Sequence, residues 1–515
     1  MQLSNQFKHM QKATKLLLVL ALISLKLKAQ TKDTLLYHEQ YRPQLHFSPA
    51  AHWMNDPNGM VYYNGIYHLF FQYYPDGITW GPMHWGHAES SNMIDWKQLP
   101  IALYPDSLGY IFSGSAVVDY HNTSGFGKNG KIPLVAIFTN HDPKGERAGK
   151  NNFQNESLAF SLDNGNTWTK YSGNPVLKNP GIRDFRDPKV MWYAAEHKWI
   201  MTLATQDHIT FFSSPDLKNW TKESEFGKEL GAHGGVWECP DLFPLKLNGK
   251  TYWVLIVNVN PGGPNGGSAT QYFVGDFDGN KFTTIQTKTK WVDYGPDEYA
   301  GITWNNTGNR KIFLGWMSNW RYANQVPTKK WRNAMTIPRE LKLNDVNGDI
   351  LLASEPVAEL KSNYAKAQAF KNIAVNKKLN LTVKVGILPG QYILKMDMQD
   401  IKGYIITLSN QKDEELIIGY DAEKKQYYID RSKSGKTNFN KDFAGRVSAP
   451  RLSNSAQSDI TLVVDKTSVE LFADNGLTMM TAIYFPNTHL NKMSISTPDK
   501  LKIGNLTIIE CNSIW

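Results

Sequence analysis

Two cysteines, Cys239 and Cys511, in 515 residues exclude a disulfide-built scaffold; whatever holds this chain is a hydrophobic core. After the first 30 residues no apolar run approaches the roughly 20 residues that span a bilayer. Lys and Arg form no dense block despite a formal net charge of +9, so a nucleic-acid partner has no support. The chain lacks G-x-S-x-G, H-E-x-x-H and a Walker loop, which removes the common serine-hydrolase, zinc-protease and nucleotide chemistries. Its 13 His are scattered without metal-ligand spacing, so neither a metal nor an organic cofactor is expected. Long helical periodicity is also missing before about residue 345.

What is present is 41% hydrophobic and 12% aromatic, with 16 Trp. Residues 1–29 read as a signal peptide. Lys8, Lys12 and Lys15 precede an apolar run, Leu16–Leu25, and small Ala29 follows. An exported protein, periplasmic or extracellular, is therefore expected. Beyond it, short apolar runs such as Ile66–Tyr74, Leu134–Thr139 and Tyr252–Val257 alternate with Gly, Pro, Asn and Asp clusters, the pattern of an all-β chain. A repeat runs through them. Ser91-Asn-Met-Ile-Asp-Trp96, Ser161-Leu-Asp-Asn-Gly-Asn-Thr-Trp168 and Ser214-Pro-Asp-Leu-Lys-Asn-Trp220 share one design, and Gly275-Asp-Phe-Asp-Gly-Asn-Lys-Phe282 is a looser copy. Their aromatic positions are 72, 52 and 62 residues apart, a spacing that points to β-propeller blades. The propeller is expected over 38–345. A linker is expected over 346–362, with a short helix at Leu351–Lys361, and a β-sandwich over 363–515.

Acidic motifs recur in phase with the repeat: Asn55-Asp56-Pro57, Arg186-Asp187-Pro188 and Glu238-Cys-Pro-Asp241. Radial blades would bring these acids to one end of the axis. Taken singly, each also reads as an ordinary turn, ion pair or structural acid. Together they fit glycoside cleavage, which needs one ionised carboxylate at the anomeric carbon and one protonated carboxyl at the leaving oxygen. Asp56, among amides and hydroxyls, suits the first role. Glu238, beside Val236, Trp237 and Leu242, suits the second, because an apolar surround disfavours the anion.

These segments are similar to glycoside hydrolase family 32, the β-fructosidases, and most to its levanases and exo-inulinases. The likeness rests on Trp53-Met-Asn-Asp-Pro-Asn-Gly59, Trp80-Gly-Pro-Met-His-Trp-Gly-His87 and Ile111-Phe-Ser-Gly-Ser115. It continues through Phe185-Arg-Asp-Pro188, Val236-Trp-Glu-Cys-Pro-Asp241, Ile337-Pro-Arg-Glu-Leu341 and Val469-Glu-Leu-Phe472. The resemblance implies a five-bladed β-propeller followed by a C-terminal β-sandwich. It implies Asp56 as nucleophile, Glu238 as acid/base and Asp187 as transition-state stabiliser. By position it places Asn55, Gln72, Trp80, Ser115, Arg186 and Trp316 around a fructose, with Asp297 as a further pocket residue. Glu298 stands where relatives often carry an aromatic. The implied substrates are levan, inulin and sucrose, cleaved with retention. A fructosyltransferase of the same fold and an endo-acting levanase or inulinase are the alternatives. Oligomeric state is not readable.

Overall fold

The computed structural model describes residues 36–515, so the expected signal peptide lies outside the described residues. Leu36–Arg42 belong to a separate N-terminal unit, in which Glu39 pairs with Arg42 at 2.9 Å. From Pro43 onward the chain is one compact unit.

Its first part is a five-bladed β-propeller. The innermost strands of the blades are His52–Tyr63, Tyr110–Val118, Phe185–Tyr193, Val236–Leu247 and Tyr299–Thr303. Each leads an antiparallel meander, and packing between neighbouring blades buries the meanders on both faces. That explains the unbroken apolar runs: Leu134–His141, for example, is buried at every position. The ring is closed by Trp331–Arg332, which pairs in parallel with His52–Trp53 of the first blade.

The repeated Ser/Asp segments are the turns between third and fourth strands. Asp163, Asp216 and Asp278 each accept backbone N–H groups two to four residues on, and Asn92 does the same in the first blade. The fifth blade has a turn of its own, Asp345-Val-Asn-Gly348, where Asp345 accepts Gly348 N–H at 2.6 Å. This corrects the expected linker. Residues Asp349–Pro356 are strand, not helix, and pair along Arg339–Val346 as the blade's outer edge. Leu351 and Leu352 are buried, which two-sided packing in a sheet demands and a solvated bridge does not. A short 3₁₀ segment, Ala358–Asn363, then leads into the second part.

That second part is the β-sandwich, a ten-stranded hydrogen-bonded array. A 20-residue strand, Lys492–Cys511, joins its halves, pairing with Tyr404–Ser409 near one end and Tyr392–Met398 near the other. Leu394, Ile406, Leu462, Leu471 and Leu506 fill the core between them.

One irregularity recurs in the propeller. The register of every innermost strand slips at its acidic or hydroxyl motif: between Met54 and Pro57, Ile111 and Gly114, Glu238 and Asp241, Tyr299 and Ile302, and opposite Arg186–Lys189. Asp187 (φ 66°), Cys239 (φ 42°) and Ala300 (φ 55°) sit in left-handed backbone there. Such bulges re-aim side chains that plain alternation would send into a blade.

Candidate active site

Five bulges at one end of the axis turn their residues toward a common centre. Asp56, from the first blade, accepts Asn55 Nδ2 at 2.9 Å and Ser113 Oγ at 2.7 Å. Asn55 is held in turn by Trp53 Nε1 at 2.7 Å. Asp187, from the third blade, accepts the Cys239 N–H at 3.0 Å. Glu238, from the fourth, accepts Arg186 Nη2 at 2.9 Å on one oxygen and the Tyr299 hydroxyl on the other. Arg186 also donates to Asp184 at 2.6 Å. The Cys239 sulfur lies 3.5 Å from Asp56 Oδ2 and 3.6 Å from Asp187 Oδ2. Acids of the first and third blades therefore meet at one thiol, and Arg186 links Asp187 to Glu238 of the fourth.

The electrostatics follow from this crowding. Burial and the nearby Glu238 raise the Asp56 carboxyl, while bonds from Asn55 and Ser113 oppose them. Burial pushes Asp187 up to about 7; Arg186 pulls it down, and Glu238 and Asp56 add to the rise. Burial and the three acids hold the Cys239 thiol well above its usual range, so it stays S–H and donates. The surroundings of Glu238 differ from the apolar setting expected. A guanidinium and a phenol face its carboxyl, because Trp237 turns to the other side and donates to Ala232 O at 2.9 Å.

A family model described as the N-terminal domain of glycosyl hydrolases family 32 matches residues 46–356, and the model of that family's C-terminal domain matches 359–510. The chain belongs to glycosyl hydrolase family 32. It is a glycoside hydrolase. Among family 32 relatives it is 44% identical to a levanase of Bacillus subtilis, over 96% of this chain and 74% of that one. It is 38% identical to an extracellular exo-inulinase of Aspergillus niger, over 93% and 96%. The crystal structure of exo-inulinase from Aspergillus awamori superposes with a TM-score of 0.84 at 36% identity, covering 93% of this chain and all of that one. A β-fructofuranosidase from Schwanniomyces occidentalis complexed with fructosyl-erythritol gives 0.83 at 32%, over 93% and 99%.

Of the family 32 pocket residues expected from sequence, Asn55 and Arg186 join the acids. Trp80 is 41% exposed, its ring edge-on to Phe112, the residue before Ser113. Gln72 is buried against the Asn58 amide at 2.9 Å, and Trp316 is fully buried between Trp53 and Trp320. Two residues are elsewhere. Ser115 ties blades together, donating to Pro188 O at 2.9 Å and accepting Val190 N–H at 3.0 Å; Ser113 is the serine on Asp56. Asp297 lies under the sandwich, paired with Arg431 at 2.6 Å and bonded to Tyr322. Its segment crosses from the propeller to the second domain before the fifth blade begins. Ser113, Tyr299 and the Cys239 thiol join the site without a signal of their own in the sequence. Among the described residues no cluster of three or more His, Cys, Asp or Glu is set to hold a metal ion.

Proposed function

We propose that this family 32 enzyme is an exported, retaining β-fructofuranosidase that releases terminal fructose from levan, inulin and sucrose. Asp56 attacks C2 of the fructofuranose while Glu238 gives a proton to the departing oxygen. Water, deprotonated by Glu238, then opens the fructosyl ester. Asp187, close to the same centre, accepts hydrogen bonds from fructose hydroxyls as positive charge develops at C2. The meeting of Asp56 and Asp187 at the Cys239 sulfur, with Arg186 joining Asp187 to Glu238, is the observation that carries this reading. Burial raises both Asp56 and Asp187, the latter to about 7. The substrate class comes from relatives named levanase, exo-inulinase and invertase. Export is supported by the basic and apolar pattern of residues 1–29 and by the extracellular exo-inulinases; no helix among the described residues is long and apolar enough to cross a membrane.

Timed digests of levan, inulin and sucrose, resolved by chromatography, test it. From the first minutes, fructose as the sole small product of levan and inulin, and fructose with equimolar glucose from sucrose, are expected. A ladder of oligomers would mean endo action, and growing oligosaccharides at high sucrose would mean transfer. Asp56→Asn and Glu238→Gln should each lower kcat on sucrose by about 1,000-fold or more with the circular dichroism unchanged. Near-normal turnover in either variant refutes that residue's role.

A further inference from the structure

We infer that Asn258 is a positioning residue for the acid/base: its side-chain amide ties the bulge carrying Glu238 to the bulge carrying Tyr299. The inference rests on the acid/base role proposed above for Glu238.

Asn258 lies in the second strand of the fourth blade, Lys250–Asn260, as the ladder partner of Glu238. Just after that pair the register slips, and pairing resumes only at Asp241. The slip takes Cys239 out of the ladder in left-handed backbone, and Pro240 has no N–H to offer. Asn258 Nδ2 closes the gap by donating to the Cys239 carbonyl at 2.8 Å. The same nitrogen reaches the Gly301 carbonyl at 3.4 Å, inside the fifth blade's slip between Tyr299 and Ile302. The two carbonyls only accept, so the amide nitrogen faces them, and Asn258 Oδ1 is left to accept the Thr270 hydroxyl at 2.5 Å. Both side chains are fully buried.

One amide thus spans two bulges, one aiming Glu238 and the other aiming the tyrosine bonded to it. Neither bulge can shift without stretching that bridge. Asn258 does not touch the reacting atoms; it acts through where Glu238 and Tyr299 are held. Without it the carboxyl drifts relative to the leaving oxygen, and small misplacements of a proton donor are costly in rate.

The test compares two substrates by kcat/KM, which reports steps up to the first bond cleavage. Sucrose needs its leaving oxygen protonated; β-fructofuranosyl fluoride does not. For Asn258→Ala, kcat/KM on sucrose should fall roughly 10–100-fold, and on the fluoride by less than about 3-fold. Thr270→Val should show the same selective loss in weaker form, and Thr270→Ser, which keeps the hydroxyl, should restore it. If Asn258→Ala does not fold by circular dichroism, the Thr270 pair carries the comparison alone. Equal loss on both substrates, or no loss on either, overturns the inference. Glu238→Gln, run in parallel, separates the two levels: if it loses both substrates equally, the acid/base reading has failed, whatever Asn258 does.

Discussion

At the residue scale, Ser113 and Ser115 carry the sharpest contrast. Both lie in Phe112-Ser-Gly-Ser115, and strand alternation alone would put them on one face. The slip between Ile111 and Gly114 parts them, so one meets Asp56 and the other a neighbouring blade. Ser113→Ala should lower kcat about 10-fold through the charged hydrogen bond it removes, with little change in thermal midpoint. Ser115→Ala should leave the Val190 N–H unpaired, costing about 1–2 kcal/mol of stability in a denaturant titration, with activity largely kept. The reverse pattern would return Ser115 to the pocket. A second outcome is electrostatic. With Asp187 raised to about 7 and needed ionised to accept the fructose hydroxyls, the acid limb of kcat/KM should lie near pH 7, as a property of the acid group together rather than of one residue. Arg186→Gln removes the charge that holds Asp187 down. Alongside a loss of activity, it should move that limb upward by about one pH unit, read from a full pH profile. The acids and Arg186 were legible in sequence because their motifs are linear. Ser113, Tyr299 and the polar role of Cys239 were not, because each depends on a bulge, and a bulge leaves no mark in hydrophobic pattern.

At the scale of elements, the repeat revealed four turns and left the fifth blade incomplete. The fifth turn, Asp345-Val-Asn-Gly348, lacks the serine and tryptophan of the first three and the closing phenylalanine of the fourth, so its outer strand read as a helical bridge. The same two-sided burial that makes Leu351 and Leu352 consecutive apolar residues in a strand also suits a short helix, and length could not decide. Leu352 packs with Leu341, Leu343 and Phe313, and its N–H donates to the Tyr272 hydroxyl at 3.0 Å. Leu352→Ala should therefore cost about 2–5 kcal/mol, seen as a lower first unfolding transition; a change under about 0.5 kcal/mol would restore the linker. In the second domain, Tyr364–Asn380 went unread for the opposite reason. It is an edge strand, mostly exposed, whose lysines and asparagines obscure any alternation, though it pairs along most of Lys492–Cys511.

At the scale of the whole molecule, the propeller and sandwich meet across buried charge. Arg339 of the fifth blade donates to Glu470 of the sandwich and to Asp293, and all three are fully buried. His46 bridges Asp465 at 2.8 Å and Glu470 at 2.7 Å. Burial lowers the His46 pKa, but the two carboxylates outweigh it and hold it at about 9. A histidine raised on folding gives stability that is complete below about pH 6.5 and is lost as pH climbs through about 9. The thermal midpoint should fall across that window, and His46→Gln should flatten the fall. A slope unchanged by the substitution would remove His46 from the seam's energetics. This seam is also why Asp297 was placed wrongly from sequence: contacts between residues 134 positions apart, as between Asp297 and Arg431, leave no local pattern. The most direct measurement of the central chemistry is methanolysis of sucrose followed by NMR, because a methyl fructoside keeps the anomeric configuration that free fructose loses. Methyl β-fructofuranoside is expected, formed through a fructosyl ester on Asp56; the α anomer would contradict a double displacement at this centre.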